Sequence, residues 1–458
     1  MKRIWLNICK CCCIVSLLCL LTAGCKKFVH VDEPDASLTT GAVFSNDSLA
    51  QAAVTGLYLI IMKSPKVFLN GGMSLFPALS ADELVRTSTL ILEDQFTNNS
   101  ILPGNGLVNV NLWKAAYTYI YQCNICMEGL KRSTGVSETL KSRLLGEVQF
   151  VRALCYHYLV NVYGDVPLAL GTNADVNAML PRTPMNQVLD QIVVDLTAAI
   201  EMLMTDKPNT TPTRYAAQAL LARVYLYKGN WSKAAELASA VISSGQFALV
   251  IDLDQVFKYT SHEIIFQWVP VQDKMNSPEG FMFVPPGGRP SYTLTKELLG
   301  AFEVGDLRKT KWVNSVTIGT TTYNYPNKFK VFSSPPPSTE YNVVLRLAEL
   351  YLIRAEALVK LDRVPEAVAD LNAIRSRAGL PEFSTSLSVD TCLQKIAQER
   401  RIELFAEWGH RWFDLKRTNR ANTVLSGKSN WQSEDQLYPI PQSELEYAPN
   451  LKQNPGYE

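Results

Sequence analysis

Leu345–Leu380 reads LRLAELYLIRAEALVKLDRVPEAVADLNAIRSRAGL, and Ile396–Arg417 reads IAQERRIELFAEWGHRWFDLKR. In both, apolar residues recur at the three- and four-residue spacing of a helix. In the first helix Leu347, Leu350, Tyr351, Arg354 and Leu358 share one face, while Val344, Ala348, Ala355 and Val359 cover part of another. A helix apolar on two sides is sandwiched between neighbours. A second helix is predicted from about Pro365, tolerated in a first turn, to Gly379 as its cap, with Val364, Val368, Leu371, Ile374 and Ala378 as its stripe. A third carries Leu393, Ile396, Ala397 and Leu404, with Arg400 in the middle of that stripe. A guanidinium cannot shed its charge, and burying it alone is costly. Arg400 or Arg401 is therefore expected to bridge to Glu349 or Glu356 on the first helix. Glu399, Glu403, Glu407, His410 and Asp414 crowd the same stretch. Carboxylates alternating with arginines on a packed helix form ion pairs, and perturbed groups imply a site when a cleft opens beside them.

Working outward, Arg214–Gly245 (RYAAQALLARVYLYKGNWSKAAELASAVISSG) repeats the design, with two helices around Lys228-Gly229-Asn230. Laid over the later pair, Ala222 meets Ala355 and Ala234 meets Ala367. This is weak tetratricopeptide-like self-similarity, in which helix pairs of about 34 residues stack into a solenoid. Helices at Asn46–Ile61 (with Ser45 and Asp47 as caps), Trp113–Leu130, Thr139–Tyr163 and within Pro181–Leu203 supply further pairs, not necessarily adjacent in sequence. Two regions break the periodicity. Residues 63–106 are punctuated by Gly71-Gly72, Pro77 and Pro103-Gly104, and residues 250–337 by Pro285-Pro286-Gly287-Gly288 and Pro335-Pro336-Pro337. Glu263–Val269 within the second alternates like a strand. The expected fold is mainly α: a tetratricopeptide-like scaffold, one domain over residues 41–458, interrupted by loop-rich segments with a few short strands.

The first 24 residues are a targeting segment, with basic Lys2, Arg3 and Lys10, an apolar run Ile14–Leu21, and then Leu21-Thr22-Ala23-Gly24-Cys25. Small residues followed directly by Cys resemble a bacterial lipobox, although Thr22 stands where such motifs usually carry Leu. Cys25 is then the lipidated N-terminus, and residues 25–40 are a polar tether. The rival is an ordinary secretory signal cut near Ala23 or Gly24.

A formal net charge of +1 gives no electrostatic case for nucleic acid. Cys123 and Cys126 have CxxC spacing inside a helical run, without the βαβ context or second pair that redox or zinc chemistry needs. GxSxG, HExxH, Walker A and GxGxxG motifs are absent from the sequence. Of four histidines, His30 lies in the tether, and His157, His262 and His410 are far apart. No catalytic residue, metal ligand or cofactor is expected. Loop acids such as Asp82, Glu83, Glu93 and Asp94 are expected to be mostly solvated.

Glu399–Arg417 together with LYPIPQSELEYAPNLKQNPGY at Leu437–Tyr457 resembles the SusD/RagB family of outer-membrane nutrient-binding lipoproteins. GEVQFVRALCYHYLVNVYGDVPL at Gly146–Leu168 and the PRTP helix from Pro181 are similar to the same family. The resemblance implies a lipid-anchored protein at the outer membrane, facing the exterior. It implies a SusC-type TonB-dependent transporter as partner, an oligosaccharide or other nutrient as ligand, and a ligand surface built from loops. Loop aromatics are the natural candidates, since sugar C–H faces stack on rings. Phe76, Phe96, Phe281, Phe283 and Tyr292 are expected to bind ligand, with Asp94 and Arg289 as polar partners. A surface glycoside hydrolase on a helical scaffold and a tetratricopeptide-like envelope assembly protein remain as alternatives. Two carboxylates facing one bond would favour the hydrolase.

Overall fold

The computed structural model describes residues 40–206 and 208–458. The expected signal segment 1–24, Cys25 and all but the last residue of the tether lie outside the described residues. Phe44–Glu458 form one unit. Its scaffold is a series of helices: α1 (Asp47–Met62), α2 (Ala115–Arg132), α3 (Glu138–Tyr163), α4 (Met185–Met202), α5 (Arg214–Tyr227), α6 (Trp231–Ile242), α7 (Leu347–Lys360) and α8 (Val364–Arg377). Each packs on the next in chain order, including α6 on α7 across the long insertion. Pairing is thus sequential. Then α9 (Val389–Glu403) and α10 (His410–Arg417) close the series, α9 lying on α7 and α8.

Polar residues set the starts. The side chains of Asn46, Thr213, Asn230 and Ser388 each accept a first-turn N–H, satisfying donors that a helix cannot satisfy itself. At α1 the cap is Asn46, not Ser45 or Asp47. The Asp47 carboxylate instead accepts from the N–H and hydroxyl of Ser137, at 2.7 and 2.8 Å. Small residues set the spacing. Ala348, Ala355 and Ala367 are fully buried in one cluster with Leu352, Leu371 and Ile396, so neighbouring backbones approach closely.

The helix predicted from Val344 begins later, because Asn342–Arg346 is extended and pairs with a strand of the insertion. Six short strands form three antiparallel pairs among the described residues. They are β1 (Leu84–Arg86) with β3 (Tyr292–Leu294), β2 (Ile264–Trp268) with β6 (Asn342–Arg346), and β4 (Val313–Ile318) with β5 (Thr321–Pro326). The first two pairs stitch the irregular regions to each other and to α7. Residues 63–106 are accordingly not a loop. Gly72–Ser80 is a helix buried along its whole length, Ile91–Thr97 is another, and Leu107–Lys114 is π-helical where it enters α2. Glycines and Pro77 punctuate this region without keeping it out of the core. No described helix is long and apolar enough to cross a membrane.

Arg400 is 2% exposed and paired, as burial demands, but its partner is Asp414 (Nε–Oδ2 2.7 Å). Arg401 pairs with Asp82 at 2.6 Å. The expected partners are taken elsewhere: Glu349 holds Arg223 of α5 at 2.6 Å, and Glu356 holds Arg417 of α10. The reason is the turn between α9 and α10. Ala406, Trp408 and Gly409 all have positive φ, which folds α10 back along α9 and brings Asp414 to Arg400. Trp408 is held in that conformation by Nε1 donating to the Val343 carbonyl at 2.7 Å. A Cβ on Gly409 would lie 2.8 Å from Pro77.

Candidate functional site

The carboxylates crowded around α9 are ion-paired in the interior. Glu403 receives Arg346 (2.6 Å), Arg377 (2.5 Å) and Arg308 (3.0 Å). Arg346 also reaches Glu263 and Glu407, and Arg308 reaches Asp306 and Glu399. Burial alone would raise the Glu403 carboxyl, but the guanidiniums of Arg377, Arg346 and Arg308 outweigh it and hold it well below the usual carboxylate range. Burial pushes Lys328 down to about 8; its ammonium lies 4.1 Å from the Phe405 ring centre and 4.8 Å from that of Trp312. This network clamps the insertion onto the last helices. His157 and His410 are buried, and desolvation pushes His157 down to about 3 and His410 well below its ordinary value. Among the described residues no cluster of His, Cys, Asp and Glu is arranged to hold a metal ion.

The loop acids expected to be solvated are mostly inside. Asp82 takes both Arg401 and Arg411. Adjacent Glu83 is 1% exposed with no cationic partner of its own, and burial pushes it up to about 8. Glu93 is 2% exposed and paired with Lys66 and Arg86.

Most of the expected ligand aromatics are core. Phe76 stacks on Phe96 at 4.7 Å, Phe96 meets Tyr438 edge-on at 5.4 Å, and all three are fully buried. Phe283 packs edge-on against Tyr292, whose hydroxyl donates to Glu93 at 2.7 Å and accepts from Lys66 at 2.7 Å. Asp94 spends one carboxylate oxygen on the Leu90 N–H, at 2.9 Å. The loop reading placed these rings at the surface, whereas the short helices and the β1–β3 pair carry them inward. Phe281 and Arg289 remain exposed.

Phe281, 37% exposed, stacks on Phe332 at 5.1 Å and 14°. A second ring pair, Tyr259 on Tyr341, stacks at 5.0 Å and 26°, with Tyr259 43% exposed. Segment 331–341 contributes one ring to each pair. Its backbone is fixed from below. Buried Glu340 accepts the N–H of Lys330 and Val331 and pairs with Lys258 at 2.9 Å. Fully buried Asn276 accepts the Thr339 N–H at 2.6 Å and donates to the Ser334 hydroxyl at 2.7 Å. Gly280 admits the segment, since a Cβ there would lie 2.4 Å from the Val331 carbonyl oxygen. The result is two pre-stacked ring pairs on one tied-down segment, with Arg289 at an exposed turn near Phe281 in sequence. Flat rings offered to solvent suit ligands with apolar C–H faces. Of these four rings, Phe281 was named from the sequence, and Phe332, Tyr259 and Tyr341 were not. Phe332 and Tyr341 flank Pro335-Pro336-Pro337, which was the signal available, and Tyr259 carried none of that kind.

Residues 301–457 match a family model described as the SusD family, and residues 77–226 match one described as starch-binding, associating with outer membrane. SusD-like protein P2 of Formosa agariphila is 26% identical, the alignment covering 96% of this chain and 98% of that one. A solved SusD superfamily protein from Bacteroides vulgatus superposes with a TM-score of 0.78 at 21% identity, covering 90% of this chain and 99% of the other. A solved laminarin-binding SusD-like protein superposes with a TM-score of 0.75 at 26% identity, covering 90% and 100%.

Proposed function

Because this chain belongs to the SusD family, we propose that it is a carbohydrate-binding protein of the outer membrane that catalyses no reaction. It captures oligosaccharide on the ledge of Phe281, Phe332, Tyr259 and Tyr341, with Arg289 reading a hydroxyl, and passes it to a SusC-type TonB-dependent transporter. Acylated Cys25 anchors it, and residues 41–458 act as one domain. The observation that carries the binding site is the two pre-stacked ring pairs, each with one exposed and one half-buried ring, on a backbone tied down by Glu340 and Asn276. Rings already ordered lose little freedom on binding. The laminarin-binding relative makes β-glucan oligosaccharides the first ligands to try.

The test is calorimetric titration of the mature chain with oligosaccharides of several linkages. Phe281→Ala is expected to weaken binding roughly tenfold, the loss of one stacking ring, with the melting temperature unchanged. Undiminished affinity in Phe281→Ala and Tyr259→Ala alike would remove the ledge as the site. Cys25→Ser is expected to release the protein from the membrane fraction.

A further inference from the structure

A pocket of about 320 Å³, sharing no residue with the ledge, opens where α2, the connection between α3 and α4, and the short helix Gln442–Tyr447 meet. Its size falls within the range of roughly 300–1,000 Å³ usual for small-ligand sites. Tyr117 and Tyr121 are one turn apart on α2, so they share a face, and both line the pocket. Tyr121 is 40% exposed and Tyr117 is half-buried. Half-buried Leu180 and Leu451 extend the apolar wall. The rings and the opposite wall are held in place. Tyr117 packs on Trp113 at 5.0 Å, and its hydroxyl donates to the Pro167 carbonyl at 2.8 Å. Asn124 of α2 donates to the Ala169 carbonyl at 3.0 Å, fixing the connection against the helix.

Glu444 is the one charged residue of the lining. It is half-buried, and its carboxylate has neither an ion pair nor a hydrogen bond among the described residues. Its charge is felt at two phenols. Burial raises Tyr117 and Tyr163 first, then Tyr156 and Tyr438 respectively, and Glu444 after them. Neither phenol serves the carboxylate, because Tyr117 donates to Pro167 and Tyr163 donates to the Val108 carbonyl at 3.2 Å. Arg182, whose charge also reaches Tyr117, is spent as well. Its N–H groups go to the carbonyls of Asp165, Lys452, Gln453 and Tyr163 and to the Asn454 side chain. A solvent-reachable carboxylate thus stands beside aromatic rings with no cation of the protein paired to it. An ammonium group is attracted by both, through a charge-assisted hydrogen bond and through the negative ring faces.

We propose that this pocket is a second ligand site, separate from the ledge, which takes the ammonium group of an amino sugar. The N–H groups of the ammonium donate to Glu444, and the C–H face of the sugar ring lies along Tyr121 and Leu451. The saccharide half of this identity rests on the carbohydrate-binding reading above. The ammonium half rests on the unpaired carboxylate and the rings alone.

Calorimetry of the mature chain in mildly acidic buffer tests it, with a glucosamine disaccharide, its N-acetylated form and cyclohexylammonium as probes. The glucosamine disaccharide is expected to bind, more weakly as salt rises. Its N-acetylated form, which lacks the charge, is expected to bind at least tenfold more weakly, and so is cyclohexylammonium, which lacks the sugar hydroxyls, by roughly the worth of a charged hydrogen bond. Glu444→Gln should lose about tenfold in affinity for the glucosamine disaccharide, and Tyr121→Ala about threefold to fivefold. The melting temperature should hold in both, since the Glu444 carboxylate bonds to nothing and Tyr121 is exposed. Phe281→Ala should leave amino-sugar binding intact, which separates failure at the ledge from failure here. A glucosamine disaccharide that does not bind, that binds Glu444→Gln as tightly as wild type, or that is lost in Phe281→Ala overturns the site. Equal affinity of the N-acetylated form overturns the ammonium as the recognised group. Equal affinity of cyclohexylammonium overturns the saccharide as the ligand.

Discussion

Replacing Glu403 by Gln should unfold this protein more readily than any surface change of equal size. The carboxylate is 0% exposed and receives three guanidiniums, from Arg346, Arg377 and Arg308. Gln keeps the shape but removes the charge, and its amide nitrogen turns a donor toward arginine donors. Removing one partner of a buried pair costs about 3–5 kcal/mol, because the other charge stays buried. Glu263, Glu407, Asp306 and Glu399 still hold the three arginines, so about 3 kcal/mol is expected. That is a large part of a total stability that is usually about 5–15 kcal/mol. Urea unfolding followed by tryptophan fluorescence measures it, with Trp312, 5.6 Å from the Arg377 guanidinium, as a local reporter. The exposed Arg363–Glu366 pair supplies the control, and Glu366→Gln should leave the midpoint unmoved. The pH dependence adds a second readout. Glu403 is held below its unfolded value, so its stabilisation is complete above the ordinary carboxylate range and is lost as pH falls below it. The variant should therefore show a shallower acid limb. A cost under about 1 kcal/mol, or an unchanged acid limb, would refute the view that this node clamps the insertion to the last helices.

Glu83 should show the opposite pH sign. Its carboxyl is raised from 4.5 to about 8 by burial, so its contribution is full below about pH 4.5 and disappears as pH rises through 8. Glu83→Gln should flatten that slope, on the order of 3 kcal/mol across the window, in melts at a series of pH values. Two glycines should respond oppositely to Ala. At Gly129 a Cβ would sit 2.1 Å from the Phe44 ring, whereas at Gly56 nothing lies within 4 Å. Gly129→Ala should destabilise by about 1–3 kcal/mol, and Gly56→Ala should stabilise by about 0.5–1 kcal/mol. Lys428→Met should lower the melting temperature, with a cost of about 2 kcal/mol, because its ammonium caps the carbonyls of Leu79, Ser80 and Ala81 at 3.0, 2.8 and 2.9 Å.

The helical scaffold was legible because its signal is local. The stripe of Val368, Leu371 and Ile374 and the small residues Ala355 and Ala367 have one helical interpretation, and all are buried. The identity of ion-pair partners was not local. Arg400 announced by its place in an apolar stripe that it must be paired, but Asp414 reaches it through a turn built on positive φ at Ala406 and Trp408. Neither residue type announces that conformation. The ledge was half legible. Phe281 looks no different in sequence from Phe283 two positions later, yet one faces solvent and the other Tyr292. The helix Pro278–Phe283, capped by Ser277, decides which ring points out, and its orientation comes from Asn276 and segment 331–341. The burial of Glu83 and Glu93 was hidden for a similar reason, because β1 is recruited by a strand more than 200 residues later.

The Asp82 carboxylate, shared by Arg401 and Arg411, has a consequence for how the chain reaches its fold. These partners lie 319 and 329 residues beyond it, so a chain emerging N-terminus first carries Asp82 uncompensated until almost all of it is available. Tyr438 donates its N–H to the Val162 carbonyl, and Asn454 donates to the Tyr163 carbonyl, which places the same demand on the final residues. Contacts of such long sequence separation form late and slow the overall rate. The early solenoid helices can pair as they appear, but their far side is finished by the last stretch to arrive. A chain cut before Leu437 should therefore remain an open, association-prone intermediate rather than a smaller working protein.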